Sequence, residues 1–167
     1  SAIRDAFPDV DLIENDTNRG FGPANNQVLE GFDSDYYVLF NNDADPEEGW
    51  LTPLVEYAEE NPDVGVQGPE LRFPNGRVHS GGFFGPFGGY RRIIERGKIM
   101  SPEDVDWVGG AVFFISQDVV NEVGTLDEMF APIYFEEVDY CWRVGEHGYD
   151  VVYNPDGIVT HDGAENE

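Results

Sequence analysis

The chain has 167 residues, of which 40% are apolar and 14% aromatic, so it can form one domain with a buried core. Thirty-four acidic against nine basic residues give a formal net charge of −25, which argues against nucleic acid as a partner because there is no basic patch. The sequence contains no apolar run long enough for a transmembrane segment, and its single cysteine, Cys141, excludes an internal disulfide. We expect a cytoplasmic protein.

The acidic residues are spread along the whole chain, and Lys98 is the only lysine. Acids used as general surface, with lysine nearly absent, indicate adaptation to a high-salt cytoplasm in which ions screen the self-repulsion. The competing interpretation is an acidic surface for a basic partner. It is less favoured because the acids form no single block.

The first half of the chain alternates between predicted helices and strands. In order, these are the end of a helix at Ser1–Phe7, a strand at Val10–Ile13, a helix at Asn25–Phe32, a buried strand at Tyr36–Phe40, a helix at Glu47–Asn61 and a strand at Val64–Gly68. This alternation predicts a parallel α/β sheet flanked by helices.

The second half begins with a predicted hairpin, whose turn is Phe73–Gly76 and whose return strand is Arg77–Phe84. The later predicted elements are a loop at Gly81–Gly89, a strand at Val105–Ser116, helices at Gln117–Val123 and Phe135–Glu146, and strands at Tyr149–Tyr153 and Ile158–Thr160. No repeat or linker interrupts this pattern, so residues 1–167 are predicted to form a single domain.

The buried strand Tyr36–Phe40 leads directly into a polar cluster that contains Asp43 and Asp45. Open α/β sheets bind ligands at the edge where such strands end, and carboxylate oxygens there suit Mg²⁺ or Mn²⁺. Pro46 follows and predicts a helix start, so Asp45 also fits the role of an N-cap. Asp45 is therefore either a ligand or a cap, whereas Asp43 is harder to explain as a cap.

The segment Asn18–Asn26 is rich in glycine and precedes a predicted helix. Glycines such as Gly20 allow the backbone to approach a ligand closely, and a helix N-terminus attracts anions. An ordinary glycine-proline loop is the alternative, and from these residues alone it is the more favoured one.

Three acidic residues, Glu136, Glu137 and Asp139, crowd the start of a predicted helix. Acids at this position suit the helix dipole, and Asp139 can pair with Arg143 one turn further on. Glu136 and Glu137 therefore remain as the candidates for a general base.

His161 follows the predicted strand Ile158–Thr160, where a histidine near acidic ligands can complete a metal site. The other two histidines, His79 and His147, have no such setting. We interpret both as structural or solvated.

Seven segments form an ordered set of weak motifs. They are Asn18–Asn26, Leu39–Asp45, Trp107–Ala111, Gly124–Phe130, Phe135–Arg143, Gly148–Tyr149 and His161. In order and spacing this set resembles the family 2 glycosyltransferases of the GT-A fold, especially the rhamnosyltransferase-like branch. The resemblance implies a GT-A-like (Rossmann-like), mostly parallel sheet flanked by helices and N-terminally truncated by one βα unit. Such a sheet has an exposed edge through which a homo-oligomer can form.

The resemblance also implies roles for matching positions. Asp43 matches the aspartate that binds the metal and the donor diphosphate, with Asp45 or Asn41 as its partner, and His161 matches a further metal ligand. Glu137 matches the catalytic base, with Glu136 as the alternative. Further donor contacts are expected from Asn18, Gly20, Asn25 and Asn26. Contacts to the sugar or the acceptor are expected from Trp107, Gly109, Gly110 and Asp139.

The implied function is the transfer of a sugar from a nucleotide-sugar donor to a glycan or lipid-linked acceptor. The reaction is expected to be inverting and to need Mn²⁺ or Mg²⁺, in the cytoplasm or peripherally at its membrane. One alternative is a catalytically inactive nucleotide- or sugar-binding domain that serves as an interaction module. Another is an acidic binder of divalent cations, which the glycine-rich Asn18–Asn26 loop disfavours.

Overall fold

A computed structural model describes residues 2–80, 82–85, 91–92 and 99–162. Five α-helices are present in these ranges: α1 (Ala2–Ala6), α2 (Phe21–Gly31), α3 (Thr52–Glu60), α4 (Gln117–Val123) and α5 (Glu136–Glu146). The strands are β1 (Tyr36–Phe40), β2 (Ala44–Pro46), β3 (Val64–Arg72), β4 (Val78–Ser80), β5 (Gly82–Phe84), β6 (Arg91–Arg92), β7 (Glu103–Asp104), β8 (Trp107–Val108), β9 (Val112–Ser116) and β10 (Asp150–His161).

The main sheet has the strand order β1-β9-β3-β10-β2, with β4 attached to β3 and β7 attached to β10. Strands β1, β3 and β10 run in the same direction, and β9 lies between β1 and β3 antiparallel to both. A smaller sheet contains β6, β5 and β8. The predicted α/β class is therefore confirmed.

The expectation of a mostly parallel sheet needs correction, because β3 and β10 form the one parallel pair among the described strands. The alternation of strands and helices correctly predicts that β1 and β3 run the same way. It does not reveal that β9, from the second half of the chain, inserts between them. Strand β1 is an end strand among those described, while a homo-oligomer through this edge stays a prediction.

Helices pack on both faces of the sheet, and alternate residues of β9 contact different helices. Phe113 and Ile115 are buried with Val119 of α4 and Val144 of α5. Phe114, between them in sequence, is buried with the α3 residues Leu54 and Ala58. This alternation is that of a strand covered on both sides. The core therefore fixes the ends of β1, β9 and β10 relative to the start of α5.

The helix predicted to begin at Glu47 begins at Thr52 instead. Pro46 belongs to β2, which pairs with β10, and Gly49 adopts a positive φ of 78° in the turn before the helix. Proline is favoured in the first helical turn, and Pro53 occupies that position. The proline in the first turn of α3 is therefore Pro53 and not Pro46.

The strand predicted at Val10–Ile13 is absent. A strand needs a neighbour to satisfy its backbone groups, and this segment pairs with none of the described strands. Val10 and Ile13 remain 57% and 42% exposed.

Two further strand boundaries differ from prediction. The long strand predicted at Val105–Ser116 is divided into β8 and β9, which belong to different sheets. The two strands predicted at the end of the chain are one strand, β10, with a register irregularity between Asn154 and Ile158. Most of the loop predicted at Gly81–Gly89 lies outside the described residues.

Candidate active site

A cavity of about 210 Å³ lies where β1, β9 and β10 meet the start of α5. It is lined by Phe21, Asn41, Gly110, Ala111, Ile133, Tyr134, Glu136, Glu137 and His161. The Asn41 backbone N–H donates to the Ala111 carbonyl at 2.9 Å, which holds the end of β1 against the start of β9. Five predicted site residues from four separate parts of the sequence are thus brought together.

Asp43 and His161 form a close pair beside this cavity. The antiparallel pairing of β2 with β10 places His161 opposite Ala44, and His161 Nε2 lies 3.3 Å from Asp43 Oδ1. The His161 side chain is only 12% exposed, and neither ring nitrogen has a hydrogen-bond partner among the described residues. Buried nitrogen atoms without a partner are costly, and a carboxylate with an imidazole is a donor set that binds divalent metals. The pair therefore fits a divalent cation.

Asp45 does not join this pair. Its backbone is held opposite Thr160 by the β2–β10 pairing, and its side chain is exposed. Within the described ranges, no three His, Cys, Asp or Glu residues are close enough together to hold a metal ion. The alternative role as a helix cap is also wrong, because α3 begins only at Thr52. Of the three predicted metal ligands, the structure brings Asp43 and His161 together.

Glu136 and Glu137 enter the cavity from the first turn of α5. The two preceding residues, Tyr134 and Phe135, have positive φ angles of 87° and 77°, which turn the chain sharply into the helix. Glu136 is 5% exposed, and its Oε2 has no hydrogen-bond partner in the described part of the chain. Glu137 lies beside Gly110, where an added β-carbon would be 3.7 Å from its side chain.

The pKa of Glu137 is raised to about 7, chiefly by burial and also by the neighbouring Glu136 carboxylate, while hydrogen bonds from the backbone N–H groups of Glu137 and Phe135 act to lower it. Burial also raises the pKa of Glu136. A carboxylate with a pKa close to the working pH is well suited to general base catalysis, and such shifts concentrate at functional sites. The cavity therefore has a suitable base in Glu137, with Glu136 buried next to it.

The Asn18–Asn26 loop contacts the segment that leads into α5. A β-carbon at Gly20 would lie 2.5 Å from the Pro132 carbonyl oxygen, and Gly20 has a positive φ of 85°. The Phe21 N–H donates to the same oxygen at 2.9 Å, and Asn18 Oδ1 accepts a hydrogen bond from the Gly20 N–H at 2.9 Å. Gly20 does permit a close backbone approach, as predicted, but here the approach is to the protein's own loop.

The two asparagines at the start of α2 do not reach the cavity. Asn26 is buried, where it donates to the Leu126 carbonyl at 2.9 Å and accepts from the Leu126 N–H at 3.0 Å. Asn25 donates to the Phe21 carbonyl and lines a separate groove along β1. The side-chain amide of Asn26 therefore holds two segments of the fold together and does not contact a donor in this cavity. Asn25 does not line this cavity either.

Two of the four residues expected at the sugar or acceptor also lie elsewhere. Trp107 stacks on Phe83, with ring centroids 3.9 Å apart, and lines a second cavity of about 520 Å³ along α5. Asp139 accepts a hydrogen bond from Arg143 Nε at 2.8 Å, which realises the alternative of an ion pair along the helix. Gly110 lines the candidate site, and Gly109 only precedes it.

His79 lies near His161, although it is not among the residues that line the cavity. Its ring centroid lies 6.3 Å from that of His161 and 4.6 Å from that of Phe73. The available signal was the predicted hairpin, since its return strand brings His79 back beside the end of β3. Ile133 and Tyr134, which line the cavity, carried no separate signal in the sequence.

The mixed sheet, with Asp43 and His161 paired at its edge, agrees with a GT-A-type α/β domain. Similar known structures support this fold class. One similar structure is that of GalNAc-T7 with UDP, GalNAc and Mn²⁺, which matches with a TM-score of 0.77 and 15% identity over 96% of this chain and 33% of that one. Another is a mannosyltransferase from Pyrobaculum calidifontis with GDP-Man and Mn²⁺, at a TM-score of 0.64 and 16% identity, over 97% of this chain and 42% of that one.

The sequence model of glycosyl transferase family 2 matches residues 1–101. The chain therefore belongs to glycosyl transferase family 2, a family of enzymes, and the resemblance found in its motifs is confirmed.

Two curated glycosyltransferases are similar to this chain over more than nine tenths of its length. One is an N-acetylglucosaminyl-diphospho-decaprenol L-rhamnosyltransferase of Mycobacterium tuberculosis, 26% identical over 93% of this chain and 59% of the relative. Another is a glucosyl-dolichyl phosphate glucuronosyltransferase of Haloferax volcanii, 29% identical over 95% of this chain and 54% of the relative. The chain thus spans less than two thirds of the length of either protein. In the part of the chain that the structure describes, no helix is long and apolar enough to cross a membrane.

Proposed function

We propose that this chain carries the transfer site of a metal-dependent, inverting glycosyltransferase that moves a sugar from a nucleoside-diphosphate donor to an acceptor hydroxyl. The observation that supports this most directly is one cavity lined by Glu137, Glu136 and His161, with Asp43 at 3.3 Å from His161. Such a transfer needs a pair of residues that can hold a cation and a base with a raised pKa. Both lie at this cavity. The similar structures that contain UDP or GDP-Man with Mn²⁺ agree with this choice of donor and cation.

Asp43 and His161 are the residues that would hold Mn²⁺ or Mg²⁺. When bound, such an ion acts as a Lewis acid that offsets the negative charge of a leaving diphosphate. Asn41 lines the same cavity and is fixed by its backbone bond to Ala111. Its position fits a contact to the donor on the side of the cavity formed by β1.

Glu137 would act as the general base. As the acceptor oxygen forms its bond to the anomeric carbon, the bond from that carbon to the diphosphate breaks and the hydroxyl proton passes to the Glu137 carboxylate. Attack opposite to the leaving group inverts the anomeric centre and needs no covalent enzyme intermediate. Gly110 lies beside this carboxylate, and a β-carbon added there would come into van der Waals contact with the Glu137 side chain at 3.7 Å.

The acceptor is proposed to be a lipid-linked sugar. The two relatives are named for acceptors built on decaprenol and dolichol. Ile133 and Tyr134 line the candidate site while remaining 48% and 66% exposed, so the rim of the cavity is apolar. An apolar rim suits an acceptor whose sugar enters the cavity while its hydrocarbon chain remains outside.

The test is sugar transfer with Mn²⁺, polyprenyl diphosphate-linked N-acetylglucosamine as acceptor, and UDP-, GDP- and dTDP-sugars as donors. We expect Glu137→Gln to lower the transfer rate by about 10²–10⁴-fold, because it removes a general base, while donor binding is retained. Glu136→Gln is the matched variant and is expected to have a smaller effect. Transfer by Glu137→Gln at the wild-type rate would rule out its role as base. If the wild type binds donors but transfers no sugar to any acceptor, the inactive binding domain is the correct interpretation.

A further inference from the structure

Glu136 has a buried carboxyl group that neither the cation site nor the general base uses. Its side chain lines the candidate cavity, and only 5% of the residue is exposed. Its Oε2 atom has no hydrogen-bond partner among the described residues. A buried polar atom without a partner costs free energy, and folded proteins keep such atoms mainly where function requires them. The buried Oε2 therefore indicates a bond to a ligand.

The backbone that leads to Glu136 is strained. Tyr134 and Phe135 have left-handed φ angles of 87° and 77°, which bulky side chains rarely adopt. Phe135 is the N-cap of α5, so Glu136 is the first residue of the helix. Strain of this kind persists at functional sites, where the surrounding structure maintains it. The strained turn and the unpartnered oxygen are independent observations, and both concern the placement of Glu136.

The Glu136 carboxyl group is held in place by the backbone of the same turn. Burial raises the pKa of Glu136, while hydrogen bonds from the backbone N–H groups of Glu136 and Tyr134 act to lower it. These bonds fix the carboxyl group against the start of α5. Oε2 has no such bond within the described residues, so a ligand can bond to it without displacing a protein group.

A hydroxyl group fits Glu136 better than a phosphate does. A carboxylate accepts an O–H hydrogen bond, whereas it repels a diphosphate. Pockets that enclose whole drug-sized ligands measure about 300–1,000 Å³, so a cavity of about 210 Å³ encloses only part of a nucleotide-sugar. Under the proposed function the diphosphate lies beside His161 and the acceptor hydroxyl beside Glu137. The group between them is the transferred sugar.

We propose that Glu136 accepts a hydrogen bond from a hydroxyl group of the transferred sugar and thereby selects the sugar of the donor. This inference rests on the proposed function, since it places that sugar between the cation pair and Glu137. It gives Glu136 a role in substrate recognition that is separate from the role of Glu137 as base.

The first test compares nucleotide-sugars with their nucleotides by calorimetric titration in Mn²⁺, with UDP-glucose against UDP and GDP-mannose against GDP. Glu136→Leu removes both carboxyl oxygens at similar size, and Glu137→Gln is the matched control on the next residue. We expect Glu136→Leu to weaken nucleotide-sugar binding by about 10–100-fold, as for a hydrogen bond to a charged group, and to leave nucleotide binding unchanged. Glu137→Gln should keep both affinities. A purely structural role of Glu136 would lower both affinities together, and that result, or no change in either, would overturn the inference.

The second test does not depend on whether Glu136→Leu folds. Donors that lack one sugar hydroxyl at a time are titrated into the wild type and into Glu136→Gln, which keeps the size of the side chain and removes its charge. We expect the wild type to bind one of these deoxy donors at least about tenfold more weakly than the parent donor, and Glu136→Gln to discriminate less between the two. Equal discrimination by both proteins, or none by the wild type, would overturn the role of Glu136 alone. A wild type without Mn²⁺-dependent nucleotide binding would overturn the proposed function, and with it this inference.

Discussion

At the scale of single residues, the proposed chemistry depends on the position of Glu137. Its carboxylate lies in a cavity next to the buried Glu136, and burial is the main cause of its raised pKa. The sequence indicated both glutamates as candidates from their place at a helix start. It could not rank them by environment, because the burial of Glu136 and the space beside Gly110 arise only when β9 and α5 meet.

The raised pKa of Glu137 has a consequence for stability. The folded-state pKa of about 7 exceeds the ordinary value of 4.5, so the folded protein holds a proton that the unfolded chain releases first. The contribution of Glu137 to the free energy of unfolding is therefore fully present below about pH 4.5 and is lost as the pH rises through about 7.

We expect Glu137→Gln, which cannot ionise, to gain stability relative to the wild type between pH 5 and pH 8, by about 1–3 kcal/mol. Urea unfolding at the two pH values, at constant high salt, measures the difference. Glu146→Gln, at the exposed end of α5, controls for the removal of one negative charge. An equal difference between Glu137→Gln and the wild type at both pH values would contradict the assigned cause.

At the scale of elements, the site depends on a contact between the start of α2 and the loop before α5. Gly20 packs against Pro132, and the Phe21 N–H donates to the Pro132 carbonyl. Phe21, Glu136 and Glu137 all line the candidate cavity. The sequence predicts a close backbone approach at Gly20 but not its partner in the fold, because Pro132 lies more than one hundred residues away in the chain.

Gly20→Ala should destabilise the fold by at least about 2 kcal/mol, because the new β-carbon needs a strained backbone and collides with backbone atoms. Gly31→Ala, at the other end of α2, has nothing within 4 Å of the added carbon. It should be neutral or stabilising by up to about 1 kcal/mol. Chemical denaturation of both variants measures these effects, and equal stabilities would show that the Gly20–Pro132 contact does not constrain the fold.

Elements that depend on local sequence are predicted correctly, whereas contacts between distant residues are not. The apolar run of β1 and the glycine-bounded α4 follow from local sequence, and both form as predicted. The contacts of Asn26 and His79 could not be predicted from the sequence, since Asn26 is bonded to Leu126 and the ring of His79 lies 6.3 Å from that of His161. Both contacts depend on how distant segments assemble in the fold.

At the scale of the whole molecule, the ordered motifs predicted the family and the α/β class, although each motif alone was weak. Several of these motifs contribute residues to one cavity, among them Asn41, Gly110, Glu136, Glu137 and His161. The net charge of −25 is a separate property of the surface. Its interpretation as adaptation to high salt remains a prediction.

If that interpretation is correct, raising KCl from about 0.1 M to about 2 M should increase the free energy of unfolding by a few kcal/mol, because the ions screen the repulsion between surface carboxylates. Urea titrations at the two salt concentrations measure this. Sodium chloride at equal ionic strength tests whether screening in general, rather than one cation, is responsible. A stability that is independent of salt would favour an acidic surface kept for a partner.

Asp43, and not Asp45, is proposed to hold the cation together with His161. Calorimetric titration of UDP, GDP and dTDP with and without Mn²⁺ tests this proposal most directly in the wild type, Asp43→Asn and Asp45→Asn. We predict that Asp43→Asn loses the Mn²⁺-dependent part of nucleotide binding, whereas Asp45→Asn retains it. Mn²⁺-dependent binding by Asp43→Asn as tight as that of the wild type would contradict the account.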